Sequence, residues 1–502
     1  MTAIEQCCGV SNRMIGVMSE QALGLTGIVV GLGLLILLAF RGFTLLLAAP
    51  GAAIVAAAFS REPILAKWTL TFMQATGGFI INFFPLFLLG GVFGKLMDDS
   101  GAALSIARGI TERLGEERAV MSVVLASAAL TYGGVSLFVV AFVAFPVAAA
   151  LFRQAEVPHR LIPAAIALGA FTFTMTALPG TPAIQNAIPM RYFGTTLFAA
   201  PILGILASGI ILGFGLWWLR VTEVHARKAG EGYSFAPLAN VDEQLIRERA
   251  ANADNFDQAE LTHGHRSEQL PSFALSAAPI LIVLVVNLIM SLVVLPRANT
   301  GFLAEPRFGE TSLAAVSGVW SVVTALAIAS LVLVGILRRR LPHLRKTLDA
   351  GANAAALPVL NTASLVGFGA VVAALPAFAV VRDGILAIPG GPLVSIAVAA
   401  NVLGGITGSA SGGLTIALNS LGETYAELAA AAGIHPDLMH RVASISSGAL
   451  AMLPHNGAVV TLLAICGATQ RGSYREIMMV GLIGPLIALA VVIALGKLFG
   501  AF

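Results

Sequence analysis

A Gly-Gly pair inside an apolar run, followed about 40 to 45 residues later by a Leu-Pro turn, occurs twice in this chain. The first copy reads Thr131-Tyr132-Gly133-Gly134-Val135-Ser136, then Leu178-Pro179-Gly180-Thr181-Pro182 with Gln185 and Asn186. The second reads Ser409-Ala410-Ser411-Gly412-Gly413-Leu414-Thr415, then Leu453-Pro454-His455-Asn456-Gly457. Gly133 and Gly412 are 279 residues apart, and Pro179 and Pro454 are 275 apart, so two independent landmarks give nearly one repeat distance. Gly and Pro are frequent in membrane helices generally. A scatter of breakers does not explain the shared offset or the polar residues beside both breaks, whereas paired interrupted helices at corresponding positions are how transporters build a binding site.

The setting of these motifs is apolar: 57% of residues are hydrophobic, 11% are charged, and the mean hydropathy is +0.89. A membrane helix needs about 20 mostly apolar residues. Such runs cover 23–40, 43–59, 79–96, 119–151 and 197–219 in the first half, and 273–295, 313–337, 353–381, 393–418, 442–466 and 477–498 in the second. Several are too long or too interrupted for one straight span. The expectation is an all-α polytopic membrane protein of about 10–12 membrane segments, re-entrant ones included, built as two inverted repeats with broken helices and re-entrant hairpins. Its parts are an N-terminal tail (1–22), a first transmembrane repeat (23–219), a cytoplasmic polar linker (220–271) and a second transmembrane repeat (272–502).

The net charge of +3 comes from basic residues in short loops, with no patch or stripe suited to nucleic acid. Arg338-Arg339-Arg340 with Arg345 and Lys346 form the densest basic cluster, two spans from the polar stretch after Arg220, so both fall on one side and the Lys and Arg excess marks it cytoplasmic. Trp217 and Trp218, just before Arg220, fit an aromatic belt at the boundary. The linker carries nine Asp or Glu and few large apolar residues, which suits a flexible connection with at most a short amphipathic helix around 242–251. Cys7, Cys8 and Cys466 give neither a disulfide framework nor metal-ligand spacing, and no cofactor motif is present. The tail lacks a small-residue cleavage pattern, so a cleaved signal peptide is not expected; Met14 and Met18 are alternative starts, and lipidation of Cys7-Cys8 is a weaker reading.

Unpaired backbone groups in hydrocarbon cost several kcal/mol each, so mid-membrane breaks persist only inside protein or beside a wet cavity. A break exposes free N–H groups and the positive end of a helix dipole, which together attract an anion. Unwound carbonyls opposite can take a cation. The segment from Met452 to Cys466 is about 14 residues, roughly 21 Å as a helix, short of the apolar thickness. It reads with 442–450 as two half-helices meeting at Pro454-His455-Asn456-Gly457, and 161–177 with the return to Pro189 reads alike. Both Leu-Pro elements are expected to be re-entrant, and both Gly-Gly elements to be broken helices.

On the stretch from Gly404 to Gly413 (Gly-Gly-Ile-Thr-Gly-Ser-Ala-Ser-Gly-Gly), the stretch from His440-Arg441 to Leu453-Pro454-His455-Asn456-Gly457, and Val381-Arg382-Asp383-Gly384, the chain resembles the gluconate permease (GntP) family of the ion transporter superfamily, from about Leu25 onward. The resemblance implies proton-coupled symport of a small hydroxy-carboxylate, such as gluconate, a related sugar acid, 3-hydroxybutyrate or a D-amino acid, across a bacterial-type inner membrane. Superfamily analogy also implies a homodimer and rocking or elevator-like movement. The first-half turn looks closer to a hydroxybutyrate-type branch than to the gluconate branch.

The candidate substrate-binding residues are Gly133, Gly134, Ser136, Thr181, Gln185, Asn186, Ser409, Ser411, Gly412, Gly413, Thr415 and Asn456. Each has a plainer reading: Asn186 and Asn456 as caps or interhelical bonds, and the hydroxyls as close-packing residues. His455 is the candidate for proton coupling or substrate binding, since a His in such a turn titrates near neutrality; its plain reading is a structural donor. Lys95, Asp98, Asp99, Arg382 and Asp383 read as interface-level charges rather than a coupling site. His159-Arg160 and His440-Arg441, which recur before the two Leu-Pro elements, read as headgroup or scaffold anchors. No hydrolase elbow, zinc-protease or phosphate-loop motif is present, and Asp98-Asp99, being adjacent, point to different helix faces. A carrier is therefore expected over an enzyme. An anion channel, or a sodium-coupled carrier or exchanger, are the alternatives.

Overall fold

The computed structural model describes residues 21–38, 41, 43–135, 137–233, 269–454 and 456–501. The tail with Cys7 and Cys8, the linker helix expected at 242–251, and both Ser136 and His455 lie outside the described residues. Among the described residues there is helix and no strand.

One order of helices runs twice. In the first half, α1 (Gln21–Leu38), α2 (Leu45–Phe59) and the long α3 (Ile64–Asp99) lead to the short α4 (Ala102–Leu114). The pair α5 (Ala119–Tyr132) and α6 (Leu137–Gln154) follows, then the short α7 (Ile162–Ala170) and α8 (Ile184–Phe193), and the long α9 (Pro201–Lys228). In the second half, α10 (Phe273–Arg297), α11 (Leu313–Leu337) and the long α12 (Leu344–Ala373) lead to the short α13 (Phe378–Leu386). The pair α14 (Pro392–Thr407) and α15 (Ala410–Ala431) follows, then α16 (Pro436–Ala449) and α17 (Gly457–Ile465), and the long α18 (Gln470–Phe499). The helix α9 runs on past Arg220 to Lys228, so the expected start of the linker falls inside a helix.

Seven of the described helices are long and apolar enough to cross a membrane, or eight spans result if the bent pair α16–α17 counts as one. The 10–12 segments expected include shorter and re-entrant ones, and beside the long helices stand the shorter apolar helices Leu45–Phe59, Val139–Gln154 and Pro392–Thr407. The chain is a multi-pass membrane protein, and its interrupted elements are the more deeply buried ones. All nine residues of α7 are buried, as is α16 from Leu438 to Ala449. By contrast, only 28% of the most apolar stretch of α10 is buried, leaving its other faces for lipid.

The Gly-Gly elements depart from the broken helices expected: both are helical hairpins. At the first Gly-Gly pair the chain reverses: Gly134 adopts φ +87°, and α6 runs back along α5. Arg118, just before α5, and Arg227 share one groove, and Arg227 Nη2 donates to the carbonyl of Ala155, just past α6, at 2.9 Å. A straight continuation would hold the two ends on the order of 50 Å apart. The second pair is also a helical hairpin. Its turn is Gly408, at φ +66°, and not the Gly412-Gly413 pair, which lies inside the first turns of α15. Those two glycines permit close approach instead: a Cβ on Gly413 would fall 2.2 Å from the backbone nitrogen of Gly404, and one on Gly412 2.3 Å from Leu365 Cδ1. Measured between the true turns, Gly134 and Gly408 are 274 residues apart, closer to the 275 of the Leu-Pro pair than the Gly-Gly spacing was.

The second Leu-Pro element is a bent pair of helices, the geometry of a broken span or of the re-entrant loop expected there. The segment from Pro436 to Met452 meets α17 at 59°, and α7 does not pack along α8. A left-handed glycine permits a sharp turn, and one stands in the first Leu-Pro turn as well, Gly180 at φ +81°; the residues flanking the prolines are extended. Leu453 (ψ 154°), Asn456 (ψ 130°) and Ala183 (ψ 140°) are extended and carry the path onward.

The halves interlock reciprocally. The helix α8 packs on the returning hairpin arm α15, while α17 packs on the other returning arm, α6; likewise α2 packs on α12 and α11 on α3.

Candidate functional site

The tip of the α5–α6 hairpin and the first Leu-Pro turn meet at Gly134 and Pro182, where a Cβ on the glycine would stand 3.2 Å from Pro182 Cγ. Beside this contact is a cavity of about 150 Å³. Thr131, Gly134 and Val135 of the hairpin form one wall, and Pro182, Ala183 and Gln185 of the turn another. Gly90 and Gly91 of α3 with Ala354 and Ala355 of α12 close it from the far side. These helices cross tightly, since a Cβ on Gly91 would lie 2.6 Å from the carbonyl oxygen of Gly351.

Most of the lining is apolar, which makes its two polar side chains informative. Thr131 and Gln185 are 4% and 2% exposed, and Thr131 Oγ1 and Gln185 Nε2 have no hydrogen-bond partner among the described residues. A buried polar group left unsatisfied costs about 1–3 kcal/mol. Two beside one cavity mark a place for polar guest atoms. The same wall is the N-terminus of α8, whose N-cap, Ala183, supplies no side-chain cap. Its first N–H groups and dipole favour a negative charge there.

Behind this wall lies a junction between the halves. Arg441 of α16 is fully buried, and all five of its N–H groups are used. Nε donates to Ala199 O (3.0 Å), Nη1 to Ala177 O and Asn186 Oδ1 (both 3.1 Å), and Nη2 to Leu197 O (3.3 Å) and Ala199 O (2.6 Å). Every acceptor is a neutral oxygen; the acidic group nearest in sequence, Asp437, is one turn away toward the half-open end of α16. His440, also fully buried, donates through Nε2 to Asn186 Oδ1 at 3.1 Å, which leaves Nδ1 to accept from Thr195 Oγ1 at 2.6 Å. Asn186 Nδ2 in turn donates to Thr181 O (3.1 Å) and Leu197 O (3.0 Å), and Ser444 Oγ to Thr176 O (2.8 Å). Of the two anchors expected for His440-Arg441, the structure selects the scaffold one.

Among the residues singled out in the sequence, Gly134 and Gln185 line the cavity. Gly133 instead packs on α10, where a Cβ would meet Ile280 Cγ1 at 2.5 Å. Thr181 is buried and accepts from Ala183 N at 3.4 Å. Asn186 and Asn456 are not equivalent: Asn186 lies within the first turn of α8, whereas Asn456 is the N-cap of α17, accepting from Ala458 N at 2.7 Å and donating to Ala451 O. Ser409 caps α15 by accepting from Gly412 N at 2.9 Å, and Thr415 Oγ1 donates to Ser411 O at 2.6 Å. Ser411 Oγ is buried without a hydrogen-bond partner among the described residues. The second-half residues Ser409, Ser411, Gly412, Gly413, Thr415 and Asn456 do not line this cavity.

Thr131 was visible in the sequence as the residue opening the first motif, but nothing there distinguished its hydroxyl from the many Ser and Thr of packed helices. The charge pairs also separate. Arg382 and Asp383 form an exposed pair at 3.0 Å, as an interface reading expects. Lys95, Asp98 and Asp99 are instead buried inside the protein, with Lys95 Nζ 3.0 Å from Asp99 Oδ1 and Thr347 Oγ1 donating to Asp99 Oδ2 at 2.7 Å. Arg160 forks onto Glu231 (2.7 and 3.1 Å) and reaches Glu476 at 3.0 Å, which also accepts from Trp218 Nε1 at 2.8 Å. The Glu231 carboxylate holds the Arg160 guanidinium protonated even more firmly than usual.

No family model matches the chain. Among solved structures it is similar to the YdaH transporter of Alcanivorax borkumensis, at 16% identity and a TM-score of 0.47 over 86% of this chain and 88% of that one, too loose a likeness to fix a shared fold. An uncharacterised transporter of Haemophilus influenzae is 31% identical over 130 residues, 26% of this chain and 29% of that protein. The uncharacterised transporter YxjC of Bacillus subtilis is 41% identical over 473 residues, 93% of this chain and 97% of that protein. At that identity over nearly both full lengths, the chain belongs to the same transporter family as YxjC.

Proposed function

We propose that this protein is a secondary active transporter that carries a small hydroxy-carboxylate, of the gluconate or 3-hydroxybutyrate kind, by symport with a proton. The observation that carries this reading is the meeting, at one small cavity, of an uncapped helix N-terminus and the unpartnered groups of Thr131 and Gln185. The buried cation Arg441, whose hydrogen bonds all go to neutral oxygens, one of them on the neighbouring residue Asn186, adds to the positive field behind that wall. Charge attraction of this kind is strong where water is excluded. The donors fit a carboxylate, and the amide and hydroxyl fit a further oxygen. The volume fits a small acid rather than a drug-sized ligand.

Kinship with YxjC supports transport as such, and the resemblance to gluconate permeases supports the substrate class and the proton. The twice-run order of helices and the reciprocal packing of α8 and α17 support two inverted repeats, joined by a cytoplasmic linker that begins after α9 rather than at 220. In this reading the protein resides in a bacterial-type inner membrane as a homodimer. The carboxylate, the proton and the lipid bilayer are its partners.

The test is uptake of labelled gluconate and 3-hydroxybutyrate into proteoliposomes under a pH gradient, a sodium gradient or neither. Saturable accumulation driven by the pH gradient is the expected result. Uptake driven by sodium alone overturns the coupling ion, and conductive, non-saturating flux overturns the carrier.

A further inference from the structure

We propose that the groove between the base of the α5–α6 hairpin and the C-terminal part of α9 binds the phosphate headgroup of an anionic phospholipid. The groove has a volume of about 620 Å³ and two distinct parts. Val120, Met121 and Leu216 supply an apolar wall, and Arg118, Arg220 and Arg227 supply a cationic end. Among the described residues that line it, two carboxylates, Glu117 and Glu223, stand against the three guanidinium groups, which leaves one positive charge in excess.

The arrangement of these charges leaves donors available. Glu223 is buried and is shared by two arginines: Arg220 Nη1 donates to Oε2 at 3.1 Å, and Arg227 Nε and Nη2 to Oε1 at 3.1 and 2.9 Å. Arg220 remains 63% exposed, with N–H groups beyond that single bond. One carboxylate thus orients two guanidinium groups without exhausting them, and Arg118 stands exposed across the groove. Guanidinium matches phosphate oxygens in geometry as well as charge.

Depth distinguishes a lipid from a dissolved anion. Trp217 and Trp218 lie between Leu216 of the apolar wall and Arg220 of the cationic end, and Trp217 is 57% exposed. Tryptophan concentrates where the headgroups begin. An apolar wall reaching toward the hydrocarbon and a cationic end at headgroup level match a phosphodiester with acyl chains. A free phosphate has no use for the wall.

The full chain, purified in detergent, is titrated with phosphatidylglycerol or phosphatidylcholine and binding is read by native mass spectrometry, with circular dichroism to verify folding. The expected result is preferential, saturable binding of phosphatidylglycerol, weakened roughly fivefold for each arginine removed in Arg118→Gln and Arg118→Gln/Arg220→Gln. Arg345→Gln, at a side chain 95% exposed on the surface, leaves the affinity unchanged. Arg118→Gln alone serves if the double variant does not fold. Equal binding of the two lipids, undiminished affinity in the arginine variants, or displacement of phosphatidylglycerol by millimolar inorganic phosphate overturns the proposal. Because the readout is binding without transport, a negative result here is separate from any failure of the carboxylate-carrier reading.

Discussion

Asn186 and Arg441, 255 residues apart in sequence, meet at 3.1 Å in the protein interior. The same carboxamide oxygen accepts from His440, so a single side chain of the first half receives two donors from the second. The Arg441 guanidinium also gathers the carbonyls of Ala177, Leu197 and Ala199, which bracket the first Leu-Pro turn and α8. The second half thereby holds the backbone that forms one wall of the cavity. A guanidinium is suited to this task because its five donors lie in one plane and stay charged.

Replacing Asn186 by Ala should destabilise the protein far more than Asn456→Ala. The first change orphans one donor each of Arg441 and His440, in a region with no exposed surface, at about 1–3 kcal/mol per orphaned group. The second removes a helix cap, worth about 1 kcal/mol. Thermal unfolding of the two variants in detergent checks this. Equal and small losses of stability would show that the junction is not structural, and wild-type transport kinetics in both, at normal surface expression, would remove these asparagines from the mechanism.

Gln185→Leu and Thr131→Val should do the reverse, leaving unfolding unchanged or slightly later while raising KM for uptake about three- to tenfold each. Neither atom has a hydrogen bond to lose among the described residues, so its removal does not harm the fold, whereas each lost ligand hydrogen bond is worth roughly 0.5–1.5 kcal/mol. Unchanged uptake kinetics in both variants would mean that the cavity is not the substrate site.

The class of the protein was legible in its sequence because hydropathy and breakers are local signals. Apolar runs located the long helices, and the duplicated breaks located the two interior elements of each half. What each break does was not legible. Gly-Gly at 412–413 and Pro at 454 both read as interruptions, but whether the chain reverses or continues depends on backbone angles at Gly408 and Leu453. The site divided along the same line. Gln185 was found from its place after a turn, while Thr131 became visible only through its missing partner. His440-Arg441 reads in the sequence as a repeated pair, yet the four acceptors of Arg441 are three carbonyls 242 to 264 residues away and Asn186 Oδ1, and no local pattern announces them.

Arg441→Lys should be nearly as damaging as Arg441→Gln. An ammonium offers three donors from one point and cannot satisfy acceptors spread along Ala177, Asn186, Leu197 and Ala199. Breaking up such a buried charged network costs about 3–5 kcal/mol. Expression yield and monodispersity of the two variants, beside Arg345→Lys as a surface control, measure it. Full tolerance of the lysine would show that charge alone, rather than the forked geometry, holds the turn.

The hairpin at the first Gly-Gly pair makes the most discriminating prediction, because it changes which side of the membrane certain residues face. Glu116, before α5, and Gln154, at the end of α6, line one cavity of about 520 Å³ and are both exposed. With Gly134 as the tip of a hairpin, they lie on the same side of the membrane. If α5 and α6 instead formed a broken helix passing through, their separation of 38 residues would place them on opposite sides. In a background where Cys7, Cys8 and Cys466 are replaced by serine or alanine, Glu116→Cys and Gln154→Cys should therefore react with a membrane-impermeant maleimide from one face only, the same for both. The double variant should also be joined by a short bifunctional maleimide. Labelling of the two positions from opposite faces would restore the broken-helix reading of the first repeat and, with it, move Thr131 and Gly134 away from the turn at Pro182.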